Sequence, residues 1–135
     1  MLRLAFSSIM AEPMDGAAID DLVARCRDYN TETGITGSVI VGGNRFAEII
    51  EGDCEEVTAT FRRICRDRRH LAIVMLGKRE TDVRLFPGKP LDYDQIAPLG
   101  SMMSLAQMAR ELRNVKAHAS IYKPLRQYSS FLAAA

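Results

Sequence analysis

The sequence predicts one α/β domain of the α+β kind: a sheet with two helices on one face and a helical C-terminal segment on the other. Three observations carry this. Alternating apolar stretches and amphipathic stretches follow one another as strand, helix, strand, strand, helix, strand, strand. A Gly42-Gly43 pair sits between the second and third strands at hairpin distance. The apolar run Leu71 to Leu76 is short enough for a strand and too short for a helix of its own.

Each element has a local reason. Leu2, Leu4 and Phe6 alternate with Arg3, Ala5 and Ser7, which gives a first strand with one inward face. Pro13 and Asp15 precede a helix whose apolar stripe is Ile19, Leu22, Val23 and Cys26, and which is expected to end near Gly34. Residues 35–41 and 45–51 form the hairpin strands. Asp53 with Glu56 three residues on has the form of a capping box, and the helix behind it is expected to turn Val57, Phe61, Ile64 and Cys65 inward.

Leu71 to Leu76 reads as a central strand covered on both faces, and Val83, Leu85 and Phe86 as a fifth strand behind the Glu80-Thr81-Asp82 turn. This order is a ferredoxin-like βαββαβ sandwich with an extra fifth strand. Met102, Leu105, Met108, Ala109 and Leu112 mark a further amphipathic helix, expected to cover the second sheet face within one chain or across a dimer. Pro124 interrupts a last segment before Ala133 to Ala135. The expected division is a domain over 1–95 and a helical extension over 96–135.

Composition bounds the function classes. A chain of 135 residues with 47% hydrophobic content can bury one core. Its 18 Lys and Arg against 17 Asp and Glu give no general attraction to nucleic acid or anionic lipid, so neither is expected as a partner. No stretch approaches the apolar length of a membrane span, and Met1 to Ser8 read as a strand rather than a leader, which predicts a cytoplasmic protein. Cys26, Cys54 and Cys65 include no Cys-x-x-Cys pair and read as buried thiols; the two histidines, His70 and His118, offer no zinc spacing.

The most informative residue is Glu48. A period of two places its carboxylate on the same strand face as Phe46 and Ile50, where a charge is costly unless paired, protonated or used.

Four stretches resemble the BLUF domains, sensors of blue light using FAD. Asn30 followed by Gly34-Ile35-Thr36-Gly37 resembles the family's Asn and Gly-Ile-Thr-Gly, and Phe46 to Gly52 its Phe-x-Gln-x-Leu-Glu-Gly. Asp67-Arg68-Arg69-His70 resembles its Asp-x-Arg-His, and Phe86-Pro87-Gly88 its approach to the last strand. The resemblance spans about residues 1–95. It implies a flavin between the two helices, walled by Leu22 and the helix around Arg63. Asn30 would bond the polar edge of the ring, and Arg63, Arg69 and His70 would lie near its other side or the ribityl chain. Phe6, Phe46 and Glu48 complete the implied cofactor site, with FAD as the expected flavin and FMN as the alternative.

The resemblance also implies what this chain has exchanged. The family uses a tyrosine on the first strand and a glutamine on the third. Phe6 and Glu48 stand there instead, and Lys89 and Leu91 stand where many members carry tryptophan and methionine. A phenyl ring has no phenolic proton, and an ionised glutamate accepts hydrogen bonds without donating any. The expected function is therefore a flavin-binding sensory module, not an enzyme, with an impaired light response, an effector protein downstream and a homo-oligomeric state. A cofactor-free interaction domain on the same scaffold is the alternative. An acylphosphatase-like enzyme using Asn30 and Arg27 is a third reading that no nucleophile or phosphate loop supports.

Plain structural roles compete at each position. Asn30 could help end its helix, His70 could cap terminal carbonyls, Phe6 could be a core aromatic, and the arginines around Arg63 could be a solvated surface.

Overall fold

The computed structural model describes residues 1–112. Its elements are β1 (Leu2–Met10), α1 (Gly16–Thr33), β2 (Thr36–Gly42), β3 (Arg45–Gly52), α2 (Cys54–Arg66), β4 (His70–Glu80), β5 (Asp92–Ala97) and α3 (Leu105–Leu112). The five strands form one sheet in the order β4-β1-β3-β2-β5, antiparallel except where β5 runs parallel to β2. The first four follow the ferredoxin-like order with β5 added beyond β2.

The helix boundaries follow their caps. Asp15 accepts a hydrogen bond from Ala18 N at 2.8 Å, and Gly34 closes α1 in the left-handed region at φ 70°. Asp53 caps α2 by accepting from the N–H groups of Glu55 and Glu56. The hairpin turn is Gly43-Asn44, one residue later than the glycine pair suggested, because Gly42 still pairs with Arg45. Gly43 alone takes a positive φ, 60°, as the first central position of a type II′ turn requires.

Two layers cover the sheet. On one face, α1 packs Ile19, Leu22 and Val23 against Val39, Val41 and Phe46, and α2 packs Val57 and Phe61 against Leu4, Phe6 and Ile50. On the other, Leu105 and Met108 of α3 bury against Ile40, Ala47, Ile49 and Phe86. The second face is thus covered within one chain. The burial of Ala109 and Leu112, and the segment holding His118, Pro124 and Ala133 to Ala135, lie outside the described residues.

Three expectations are corrected. The fifth strand is Asp92–Ala97, while residues 83–86 belong to the connection that leads to it, with Val83 and Leu85 exposed and Phe86 buried. Lys89 and Leu91 accordingly precede the last strand. β4 is an outer strand, so Leu71 and Met75 remain 54% and 44% exposed where cover on both faces was expected. Its pairing with β1 slips twice, and Ala72 takes φ 47° at one slip, the mark of a bulge. Finally, Cys54 and Cys65 are exposed and Cys26 is half-buried, so the thiols are not a buried set.

Candidate functional site

β3 carries two carboxylates three residues apart, and the period of two sends them to opposite faces. Glu51 is fully buried on the α3 face and fully engaged. It pairs with Arg3 Nε at 3.1 Å, accepts from Thr36 Oγ1 at 3.1 Å, and accepts from the backbone N–H groups of Leu85 at 3.0 Å and Phe86 at 2.8 Å. It fixes the start of the connection to β5.

Glu48 points to the helix face and has no hydrogen bond or ion pair among the described residues. Burial pushes its carboxyl up to about 8, with Arg63 pulling the other way. It therefore lies largely neutral at pH 7 and can donate one hydrogen bond.

Glu48 opens onto a cavity of about 560 Å³ between α1, α2 and the sheet. Ile19, Leu22, Val23 and Cys26 line it from α1, Thr60, Arg63 and Ile64 from α2, Val39, Val41 and Phe46 from the sheet, and Leu91 closes one side. Asn30, Arg25, Arg66, Asp67, Arg69 and His70 supply most of the polar lining. An apolar slot with a few convergent polar groups is the usual form of a small-molecule site.

The polar groups are individually held. Asn30 is buried and donates Nδ2 to Pro90 O at 2.8 Å, while its backbone carbonyl accepts from Gly34 and Ile35 at the end of α1. The helix-ending and cavity-lining roles coexist in one residue. His70 begins β4, bonds Ser8 Oγ through Nδ1 at 2.7 Å, and tilts against Phe46 at 5.0 Å between ring centroids. Burial holds its pKa below the ordinary value. Arg63 lays its guanidinium over Tyr29, 3.4 Å from the ring centroid, joining α2 to α1. Arg69 grips Asp67 with a fork that includes a 2.6 Å contact and holds that carboxyl down at about 2. Burial and the nearby Glu48 push the Cys26 thiol up to about 11, which keeps it protonated.

Seven of the eight residues expected at the site, Leu22, Asn30, Phe46, Glu48, Arg63, Arg69 and His70, line this one cavity. Phe6 does not. Its ring is fully buried under α2, edge-on to Phe61 at 5.3 Å. Ile19, Val23 and Cys26 were missing from the expected site, although their helical spacing from Leu22 could have found them. Leu91, absent from the expected site, carried one signal, its place at a position where many family members have methionine.

The sequence profile of the family described as sensors of blue-light using FAD, BLUF, matches residues 1–91. This chain belongs to the BLUF family. BLUF domains are flavin-binding sensor modules. Over 58 residues the chain is 34% identical to the blue light- and temperature-regulated antirepressor BluF of Escherichia coli, covering 43% of this chain and 14% of that protein. Over 92 residues it is 27% identical to the photoactivated adenylate cyclase subunit alpha of Euglena gracilis, covering 68% of this chain and 9% of that one. The matches thus span a small part of either curated relative. Among solved structures, the dark state of the BLUF protein BlrB superimposes with a TM-score of 0.71 at 23% identity, covering 92% of this chain and 93% of that one. A bacterial light-regulated adenylyl cyclase gives 0.72 at 20% identity over 99% of this chain and 36% of that one. These likenesses establish the fold. Among the described residues no helix is long and apolar enough to cross a membrane, and no group of three or more His, Cys, Asp or Glu is placed to hold a metal.

The cavity residues fit a flavin. The apolar walls on α1 and α2 suit the faces of a flat ring system, and neutral Glu48 and the Asn30 amide offer both donors and acceptors to a polar ring edge.

Proposed function

We propose that this chain is a BLUF sensory module that holds FAD in the cavity between α1 and α2, with its usual light response impaired. The observation that carries the reading is the convergence of Asn30, Glu48, Arg63 and His70 on one apolar slot. Bound flavin would supply the absorption of blue light. Leu22, Val23 and Ile64 would flank the ring and exclude water, and Asn30 would orient its polar edge. Arg25, Arg66 and Arg69 at the cavity would hold phosphate, which favours FAD or FMN over the bare ring.

Impairment follows from Phe6 and Glu48. Phe6 carries no phenolic proton to transfer, and Glu48 has a single proton to donate and only while neutral, where an amide keeps two donor hydrogens and an acceptor at every pH. The reading extends to a cytoplasmic protein that acts on an effector by contact and assembles from more than one copy. Incubation of the purified protein with FAD followed by dialysis tests the first step. A retained absorption band in the blue supports it; a colourless protein would favour the cofactor-free interaction domain.

A further inference from the structure

Two fully buried side-chain oxygens among the described residues have no hydrogen-bond partner, Ser7 Oγ and Thr60 Oγ1. Ser7 lies directly across from Ala47 in the register, and so on the α3 face, away from the cavity. Thr60 is 2% exposed, stands near the middle of α2 and lines the cavity. The other threonines of α1 and α2 behave differently. Thr31, Thr33 and Thr58 each donate the hydroxyl to the carbonyl four residues back, at 2.7, 2.9 and 2.7 Å, the ordinary outlet for a threonine within a helix. Thr60 makes no such bond to Glu56. A buried hydroxyl without a partner costs free energy that a valine of the same shape would not.

The polar groups around the cavity indicate what would answer it. Asn30 donates Nδ2 to Pro90 and keeps its side-chain carbonyl to accept, and neutral Glu48 has one proton to give. The polar edge of a flavin ring carries two carbonyl oxygens on either side of one N–H, so it asks for more donors than acceptors. We infer that Thr60 is a ligand-binding residue of the cavity, its hydroxyl donating to a ring carbonyl oxygen of the flavin and adding a donor from α2 to Asn30 of α1 and Glu48 of β3. The inference rests on the reading of the cavity as a flavin site. Binding then satisfies a group that folding leaves unpaired, so Thr60 weakens the unliganded fold and strengthens the complex.

Two variants of the chain test this. Thr60→Val keeps the shape and removes the hydroxyl, and Thr60→Ser keeps the hydroxyl. In titrations with FAD, Thr60→Val should raise the dissociation constant roughly fivefold, a net hydrogen bond of about 1 kcal/mol, and Thr60→Ser should stay within about twofold of the wild type. Without FAD, the thermal midpoint of Thr60→Val should equal or exceed that of the wild type, because an unpaired group has gone. In infrared spectra of the FAD-loaded proteins, a ring carbonyl stretch should move to higher frequency in Thr60→Val, as loss of a donor requires. Unchanged affinity or unchanged carbonyl bands in Thr60→Val overturn the inference and leave the flavin reading standing. So does an affinity loss that comes with a lowered midpoint in the absence of FAD, the mark of a purely structural role. Wild-type protein that retains no FAD removes both.

Discussion

Phe6 on β1 and Glu48 on β3 are cross-strand partners, directly opposed in the antiparallel register and on the face that carries α1 and α2. Cross-strand partners sit with Cβ atoms roughly 5 Å apart, so the two exchanged positions are one local site. Their environments nevertheless differ. The phenyl is sealed against Phe61, whereas the carboxyl opens on the cavity. A core aromatic costs nothing at the first position; an unpaired acid at the second has consequences for stability.

Those consequences depend on pH. The pKa of Glu48 in the folded protein, about 8, lies above its ordinary 4.5, so the folded state favours the neutral acid. Its contribution to stability is whole below pH 4.5 and is lost as pH rises toward 8. Glu48→Gln removes this slope. Thermal denaturation should show the two proteins nearly equal at pH 4.5 and the Gln variant more stable at pH 9, by roughly 2 to 4 kcal/mol. His70, with its lowered pKa, loses stability in the opposite direction as pH falls, and it cancels in the comparison because both proteins carry it. A constant difference across pH would show that Glu48 does not titrate as described.

Glu51 is the stabilising carboxylate of the pair on β3. Glu51→Ala leaves Arg3 and the N–H groups of Leu85 and Phe86 without their acceptor. Loss of about 3 to 5 kcal/mol is expected in urea denaturation, the range for breaking a buried pair. Glu51→Gln retains one acceptor and should lose about 2 kcal/mol. Equal, small losses for both would mean that the buried hydrogen bonds of Glu51 contribute little.

Met108 is fully buried on the second sheet face. Met108→Ala should cost about 2 to 5 kcal/mol if α3 covers that face in solution. A loss under about 0.5 kcal/mol, the range of surface substitutions, would place α3 elsewhere.

The alternation of Leu2, Leu4 and Phe6, the stripe from Ile19 to Cys26 and the caps Asp15 and Gly34 were legible because each depends on local chemistry. The position of β5 was not. Asp92, Asp94 and Gln95 interrupt its apolar pattern, since an edge strand beside β2 needs little burial, while Val83 and Leu85 alternate convincingly in a segment that Glu51 holds from a distance. β4 misled for the converse reason: its apolar run is real, but its place at the sheet edge is set by strand order, which periodicity does not encode. At the site, Glu48 stood out because its carboxylate falls on the apolar face that Phe46 and Ile50 share. Tyr29 under Arg63 and Leu91 at the cavity wall show no such conflict, and contacts between distant segments place them.

The most direct test of the account is the light-minus-dark absorption spectrum of FAD-loaded wild-type protein beside the Phe6→Tyr, Glu48→Gln double variant. Wild-type protein should hold flavin and show no red shift on illumination, and the double variant should gain one. A red shift already present in the wild type, or a flavin-loaded double variant that stays spectrally unchanged, would contradict the claim that these two side chains account for the impaired response.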